Sequence, residues 1–517
     1  MTAPDTNPHT IFEQSKGNHG EFWKNAAVLL PFLIIYWANI AHHTMFFDEV
    51  NAWAISVASP NLSVLFHHVH FEGHPWLWYF ILWIPSRLTH DPVGMKWVVA
   101  IFGTASITIF GMMSPFHRWQ RALILSSYFF MWEYTVMCRM YTVMLLLAIL
   151  YAVRRSRRPT GVIGCAVLMG IMASTDMTGM LLSGAFLIEY LYSTFISREL
   201  VISRKRWAAA LSLYATCAAL AIASLWPAKD ISWQSSGKLG SYFLDGGRWL
   251  WVLGNMVAVP WWPISSLFPQ HFWQENVEPL SWIYILVPFV LLAYWLTFRK
   301  QKNLLLLIGV TLFLGICFGD IVYIGRVRHW GIVFVSLILG LWLQRTSNYS
   351  IETKKLHWPL LLYGLLAMSA IAGAVAFAES WVHPFSRARE TAQWLRSNEP
   401  PNVSLAGGLD VSFSSVAEEL QRPVYFLECG CVDTFKLFSR DRELRAESEI
   451  PLRLVRAFAD MHTQRIVFLM YRPLEPAELA QLEQTRIHPK LLTSFPGADS
   501  LYESYFVYEM KYVPPGT

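Results

Sequence analysis

Charged residues are scarce: Asp, Glu, Lys and Arg together make up 15% of the 517 residues, against about 25% in an ordinary soluble domain. That shortage excludes a water-soluble fold over most of the chain. No small-residue cleavage site follows the polar stretch 1–24, so it reads as a cytoplasmic tail before an uncleaved first helix. No internal repeat is evident, which argues against a transporter built from repeated halves. Gly407-Gly408 lacks the glycine spacing of either nucleotide fingerprint. Cys429 and Cys431 are the one soluble-side pair among six cysteines. Two ligands do not make a zinc site, and the spacing leaves open whether they are free or bonded to each other.

Apolar side chains fill the gap left by charge, with 54% of residues hydrophobic and 15% aromatic. Residues 25–380 form a series of apolar stretches suited to crossing about 30 Å of hydrocarbon, and 381–517 read as a soluble domain. Basic clusters at 117–121, 154–158, 198–206, 298–302 and 345–355 mark cytoplasmic loops. The net charge of +5 is thereby a feature of membrane loops and carries no argument for nucleic acid. All five clusters fall inside with spans near 26–41, 97–115, 122–138, 140–153, 161–176, 179–197, 207–226, 281–298, 303–319, 329–344 and 358–378. That is about eleven spans, with the N-terminus inside and the C-terminal domain outside. Residues 75–88 and 247–263 are too short or too interrupted to span, and are expected as helices on the outer surface.

The outer loops concentrate ionisable groups, each costly near hydrocarbon. The first reads Phe46-Phe47-Asp48-Glu49-Val50-Asn51, followed by Phe71-Glu72-Gly73-His74-Pro75-Trp76. This pattern resembles the GT-C glycosyltransferases, which include protein O-mannosyltransferases and bacterial enzymes that move aminoarabinose or other sugars from polyprenyl phosphate. In that superfamily an acidic residue or pair closes the first span, and a His-Pro or Lys-Pro step opens a surface helix. The resemblance covers residues 25–150. It implies a mainly α membrane bundle of GT-C type and a sugar donor linked to polyprenyl phosphate in the bacterial cytoplasmic membrane. Asp48 is then the expected general base, with Glu49 in the catalytic pair, and Glu72 and His74 contact substrate.

Sugar transfer from a phosphate leaving group needs a base at the acceptor hydroxyl and positive charge on the departing phosphate. Two turns offer that charge. One carries Arg139 and Tyr141; the other carries Arg326, Arg328 and His329. Arginines outside run against positive-inside statistics, which points to a specific anion. Several GT-C enzymes have an Asp where this chain has Arg139. Asp48, Glu49, Glu72 and His74 are also hard-ligand types, compatible with a divalent metal, although the chemistry requires none.

In the soluble domain, short helical and strand-like segments alternate from Arg387 to Glu509. They predict a small α/β domain with a mostly parallel sheet, expected to hold an acceptor or a protein partner. Three rival readings stay open at this stage: a transporter or flippase of a lipid-linked or anionic substrate, a noncatalytic assembly partner, and a ligase acting on a lipid pyrophosphate.

Overall fold

A computed structural model describes residues 19–232, 246–264, 284–321, 325–346, 358–442 and 449–514. Most of the N-terminal tail, much of the outer region 227–280, and Tyr323 and Ile324 lie outside them.

Among the described residues, seven helices are long and apolar enough to cross a membrane: Gly20–His42, Val93–Met113, Met177–Ile196, Arg204–Leu225, Lys302–Gly319, Val327–Thr346 and Leu360–Val382. The other four expected spans are shorter or broken. Residues 122–138 hold the end of helix Arg118–Leu125 and a π-helix, Phe129–Glu133. Helices Tyr141–Arg157, Val162–Ala173 and Leu286–Phe298 cover the remaining three. Twelve residues of helix, as in Val162–Ala173, rise about 18 Å, well short of about 30 Å of hydrocarbon. The Val327–Thr346 helix is the most enclosed of the seven, with 94% of its apolar window buried. Its N-terminal end carries Arg328, whose side chain is mostly buried. The expected surface segment 75–88 contains the ten-residue helix Leu77–Ser86, which buries Trp78, Tyr79 and Leu82. Residues 247–263 lie mostly in helix Gly246–Ala258.

The C-terminal domain is a six-stranded sheet in the order β3-β2-β1-β4-β6-β5, with β1 Leu405–Gly407, β2 Val424–Phe426, β3 Cys431–Asp433, β4 Arg465–Met470, β5 Ile487–Phe495 and β6 Tyr505–Tyr512. Alternation along β4 divides the core. Ile466, Phe468 and Met470 pack with helix Ile450–Asp460, while Val467 and Leu469 pack with helices Ala388–Asn398 and Asp410–Leu420. The sheet is mixed, which corrects the expectation of a mostly parallel one. Only β1–β2 and β1–β4 are parallel; β2–β3, β4–β6 and β5–β6 are antiparallel. The links 427–430 and 496–504 are too short for the dozen or so residues a parallel crossover needs. Cys429 and Cys431 are disulfide-bonded to each other across the first link.

Candidate active site

The chain leaves the first membrane helix at His42 and restarts as helix Phe47–Ala58. The start of a helix exposes main-chain N–H groups without intrahelical partners, and here buried carboxylates take them. Glu49 accepts the Phe46 N–H at 3.0 Å. Glu503, from the far end of the C-terminal domain, accepts the Phe47 N–H at 2.8 Å. Asp48 sits between these two anchors in the first turn, where the helix dipole favours a negative charge.

Asp48 and Glu49 are adjacent in sequence but differently engaged. Glu49 is fully buried and holds the fold together locally: His43 Nε2 lies 2.9 Å from both its oxygens, and the Cys138 N–H also donates to it. The Asp48 side chain remains 23% exposed and meets cations. Arg328 Nη2 lies 3.3 Å from Asp48 Oδ2 and Arg139 Nη1 3.5 Å from it. Arg139 also donates to the Asp48 carbonyl. Burial opposes the Asp48 charge, but Arg139, Arg328 and Arg326 outweigh it and hold the carboxyl below the usual carboxylate range.

Two glycines allow the turns that deliver these groups. Gly73 has φ +68°, directly before His74-Pro75 and the Leu77–Ser86 helix. Gly325 has φ +84°, and a Cβ there would lie 2.2 Å from the Trp330 ring. Neither position suits an L side chain. After Gly325, the Arg326 N–H donates to His329 Nδ1 at 2.9 Å, and the Arg328 carbonyl accepts from Tyr134 OH at 2.6 Å. Tyr134 in turn stacks on Tyr141, ring centroids 5.3 Å apart. His329 and Tyr141 are therefore both tied into the walls that support the arginines.

His74 Nε2 lies 3.1 Å from Arg139 Nη2. A guanidinium only donates, so this ring nitrogen is the acceptor and carries no proton. Burial and the Arg139 charge push the imidazole down to about 3, against the pull of Asp48. Glu72 accepts from Tyr79 OH at 3.2 Å and from Asn51 Nδ2 at 3.4 Å. Burial pushes its carboxyl up to about 8, so it is largely protonated at neutral pH. Asp48 is then the charged carboxylate facing three guanidiniums.

The site therefore gathers Asp48, Glu72, His74, Arg139 and Arg328, with Arg326 close enough to act on Asp48 electrostatically. It does not assemble Asp48, Glu49, Glu72 and His74 around one ion. Arg139 bridges Asp48 and His74, and Glu49 is occupied by His43 and main-chain N–H groups. Among the described residues, the three-ligand cluster is His43, Glu49 and Cys138, which is fully buried. The donor set around Asp48 does not fit a metal. Asp176 is the N-cap of helix Met177–Leu191, with Gly179 N–H at 2.8 Å, and is used up in that role. Sequence reasoning missed Asn51, Tyr79 and Glu503. Asn51 carries the helical signal of lying one turn after Asp48 in helix Phe47–Ala58, whereas Tyr79 and Glu503 carry none.

No family model matches the sequence, and no curated protein sequence matches it. Among solved structures, the chain is similar to the GT-C aminoarabinose transferase ArnT from Cupriavidus metallidurans bound to undecaprenyl phosphate. The TM-score is 0.50 at 13% identity, over 95% of this chain and 98% of that one. The apo structure of the same protein gives 0.49 at 13% identity over the same shares. The chain shares its fold with the undecaprenyl phosphate-bound structure. Within that fold, the expected bundle with a small C-terminal α/β domain is present, and the Asp48 cluster lies where the two parts meet.

Proposed function

We propose that this chain is a membrane glycosyltransferase that moves a sugar from a polyprenyl-phosphate donor to an acceptor on the outer face of the bacterial cytoplasmic membrane. The observation that carries this reading is the convergence of Arg139 and Arg328 on the partly exposed carboxylate of Asp48, within a GT-C fold. The structure of ArnT with undecaprenyl phosphate supports a lipid phosphate as the anion these arginines meet.

The electrostatics suggest how the steps are ordered. Without donor, the Asp48 charge is satisfied by the arginines, which makes it a poor base. A donor phosphate shares those guanidiniums and so returns basicity to the carboxylate. Asp48 then takes the acceptor hydroxyl proton as the acceptor oxygen bonds to the anomeric carbon. The bond from that carbon to the phosphate oxygen breaks, and its electron pair leaves with the lipid phosphate. Arg139, Arg326 and Arg328 stabilise the charge that develops there. Glu72, protonated, and His74, neutral, offer a donor and a fixed polar wall for sugar or acceptor hydroxyls, and Tyr141 and His329 hold the arginine turns. In the proposed orientation the N-terminus is cytoplasmic and residues 381–517 lie outside.

The test is transfer of labelled sugar from a panel of undecaprenyl-phosphate sugars by purified wild type and Asp48→Asn. Undiminished transfer by Asp48→Asn sinks the base assignment. Flux of an anionic or lipid-linked solute into vesicles without transfer would favour a transporter instead.

A further inference from the structure

Residues 434–440 of the C-terminal domain lie as a strap across the outer loops of the membrane domain. The Phe438 carbonyl accepts the Ser232 N–H at 2.8 Å, and the Arg440 N–H reaches the Asp230 carbonyl at 2.7 Å. At Lys436 the strap meets a single side chain of the Phe47–Ala58 helix. The Lys436 N–H donates to Asn51 Oδ1 at 3.0 Å, and the Lys436 carbonyl accepts from Asn51 Nδ2 at 3.1 Å. A main-chain N–H can only donate, so it decides which way the Asn51 amide faces. The same nitrogen, Nδ2, then reaches the Glu72 carboxyl at 3.4 and 3.5 Å. Asn51 is 2% exposed, and the proposed chemistry makes no use of it.

We propose that Asn51 is a positioning residue: with its amide locked by the main chain of Lys436, it orients and hydrogen-bonds the Glu72 carboxyl in the candidate site. The C-terminal domain is thereby a working part of that site rather than only an appended holder of acceptor or partner. The inference rests on reading the Asp48 cluster as the transfer site. Glu72 faces Tyr79 from the Leu77–Ser86 helix, Asp48 from the Asn51 helix and Arg139 from its turn. On the strap side, the Lys436 ammonium is held by Glu428 at 3.0 Å, and His74, two residues on, is neutral. Burial pushes Glu72 up, while the Tyr79 and Asn51 donors and Arg139 pull it down. Loss of the Asn51 donor raises it further.

The experiment is a pH titration of the full-length protein in detergent by difference infrared spectroscopy. The protonated-carboxyl band of Glu72 is assigned by its loss in Glu72→Gln. Asn51→Leu is expected to move the band's midpoint up by about half a unit to one unit, the effect of one hydrogen bond to a carboxylate. Asn51→Ala adds no bulk and carries the test should the leucine variant not fold. An unchanged midpoint overturns the proposal, because a purely structural Asn51 would not move the titration of Glu72. A second arm measures undecaprenyl phosphate binding against pH, where affinity should fall as Glu72 ionises and the fall should shift with the same variants. A lipid that fails to bind wild type overturns the donor reading, while the infrared midpoint still decides the role of Asn51.

Discussion

Replacing Asp48 with asparagine should abolish transfer and yet tighten the binding of undecaprenyl phosphate. In the structure Asp48 occupies the guanidiniums a phosphate would need, with Arg328 at 3.3 Å and Arg139 at 3.5 Å. With Glu72 protonated and His74 neutral, the three arginines and Asp48 leave a local charge of about +2, which the asparagine raises to about +3. A carboxylate and a phosphate bound to one guanidinium lie roughly 7 Å apart, and at an effective dielectric of about 20 their repulsion is about 2 kcal/mol per unit charge. Removing it should lower Kd about 30-fold, more at low salt than at high, since screening acts on the same repulsion. Asparagine keeps the volume and the start of the helix, so the change is mainly one of charge. Titrating detergent-purified protein with undecaprenyl phosphate by native mass spectrometry or tryptophan fluorescence, at two salt concentrations, measures it. Unchanged or weaker binding by Asp48→Asn would refute the claim that Arg139 and Arg328 meet the lipid phosphate.

Arg328→Gln should weaken undecaprenyl phosphate binding by about 10- to 100-fold, the worth of one charge-assisted hydrogen bond; a change under about twofold in the same titration would count against it. Glu72 titrates at about 8 in the fold against an ordinary 4.5. Its folded pKa is raised, so its contribution to stability is fully present below about 4.5 and is lost as pH rises towards about 8. Glu72→Gln should therefore gain thermal stability relative to wild type steadily across that window in differential scanning fluorimetry; a difference independent of pH would contradict this. Glu503 accepts the Phe47 N–H, Ser386 and Ser415 hydroxyls and the Tyr505 hydroxyl, at 2.8, 2.6, 2.9 and 2.9 Å. Glu503→Ala strands these buried donors at a cost of about 3 to 5 kcal/mol. Glu503→Gln should cost about 1 kcal/mol, because hydroxyls can rotate to accept its amide, and chemical unfolding monitored by fluorescence separates the two.

How much of this was legible in the sequence varied with the distance over which residues act. Segment types in the C-terminal domain followed local periodicity: the alternation of helices and strands expected from Arg387 to Glu509 is present, with helices at Ala388–Asn398 and Ile450–Asp460 and a strand at Arg465–Met470. Sheet direction did not, because it depends on which strands pair and on links as short as 427–430. Among the described residues, seven of the expected spans coincide with helices long and apolar enough to cross a membrane. The segment 122–138 does not, because its apolar side chains serve a π-helix and a tight turn that bring Arg139 to Asp48. Asp48 reads as the base and Glu49 as its companion from the sequence, but only their partners show that Glu49 is committed to His43 and main-chain N–H groups.

The sequence by itself determined that this is a membrane protein with a small C-terminal α/β domain, since hydrophobicity and period are local properties of the chain. It also singled out Asp48, Glu72, His74, Arg139 and Arg328 as candidate site residues. Tertiary structure alone decided that these residues meet, that Glu49 is buried against His43, and that Asn51 and Glu503 link the two domains at the start of the helix that carries Asp48. Those outcomes are set by partners from 6 to 456 residues apart, and one-dimensional pattern carries no record of such pairings.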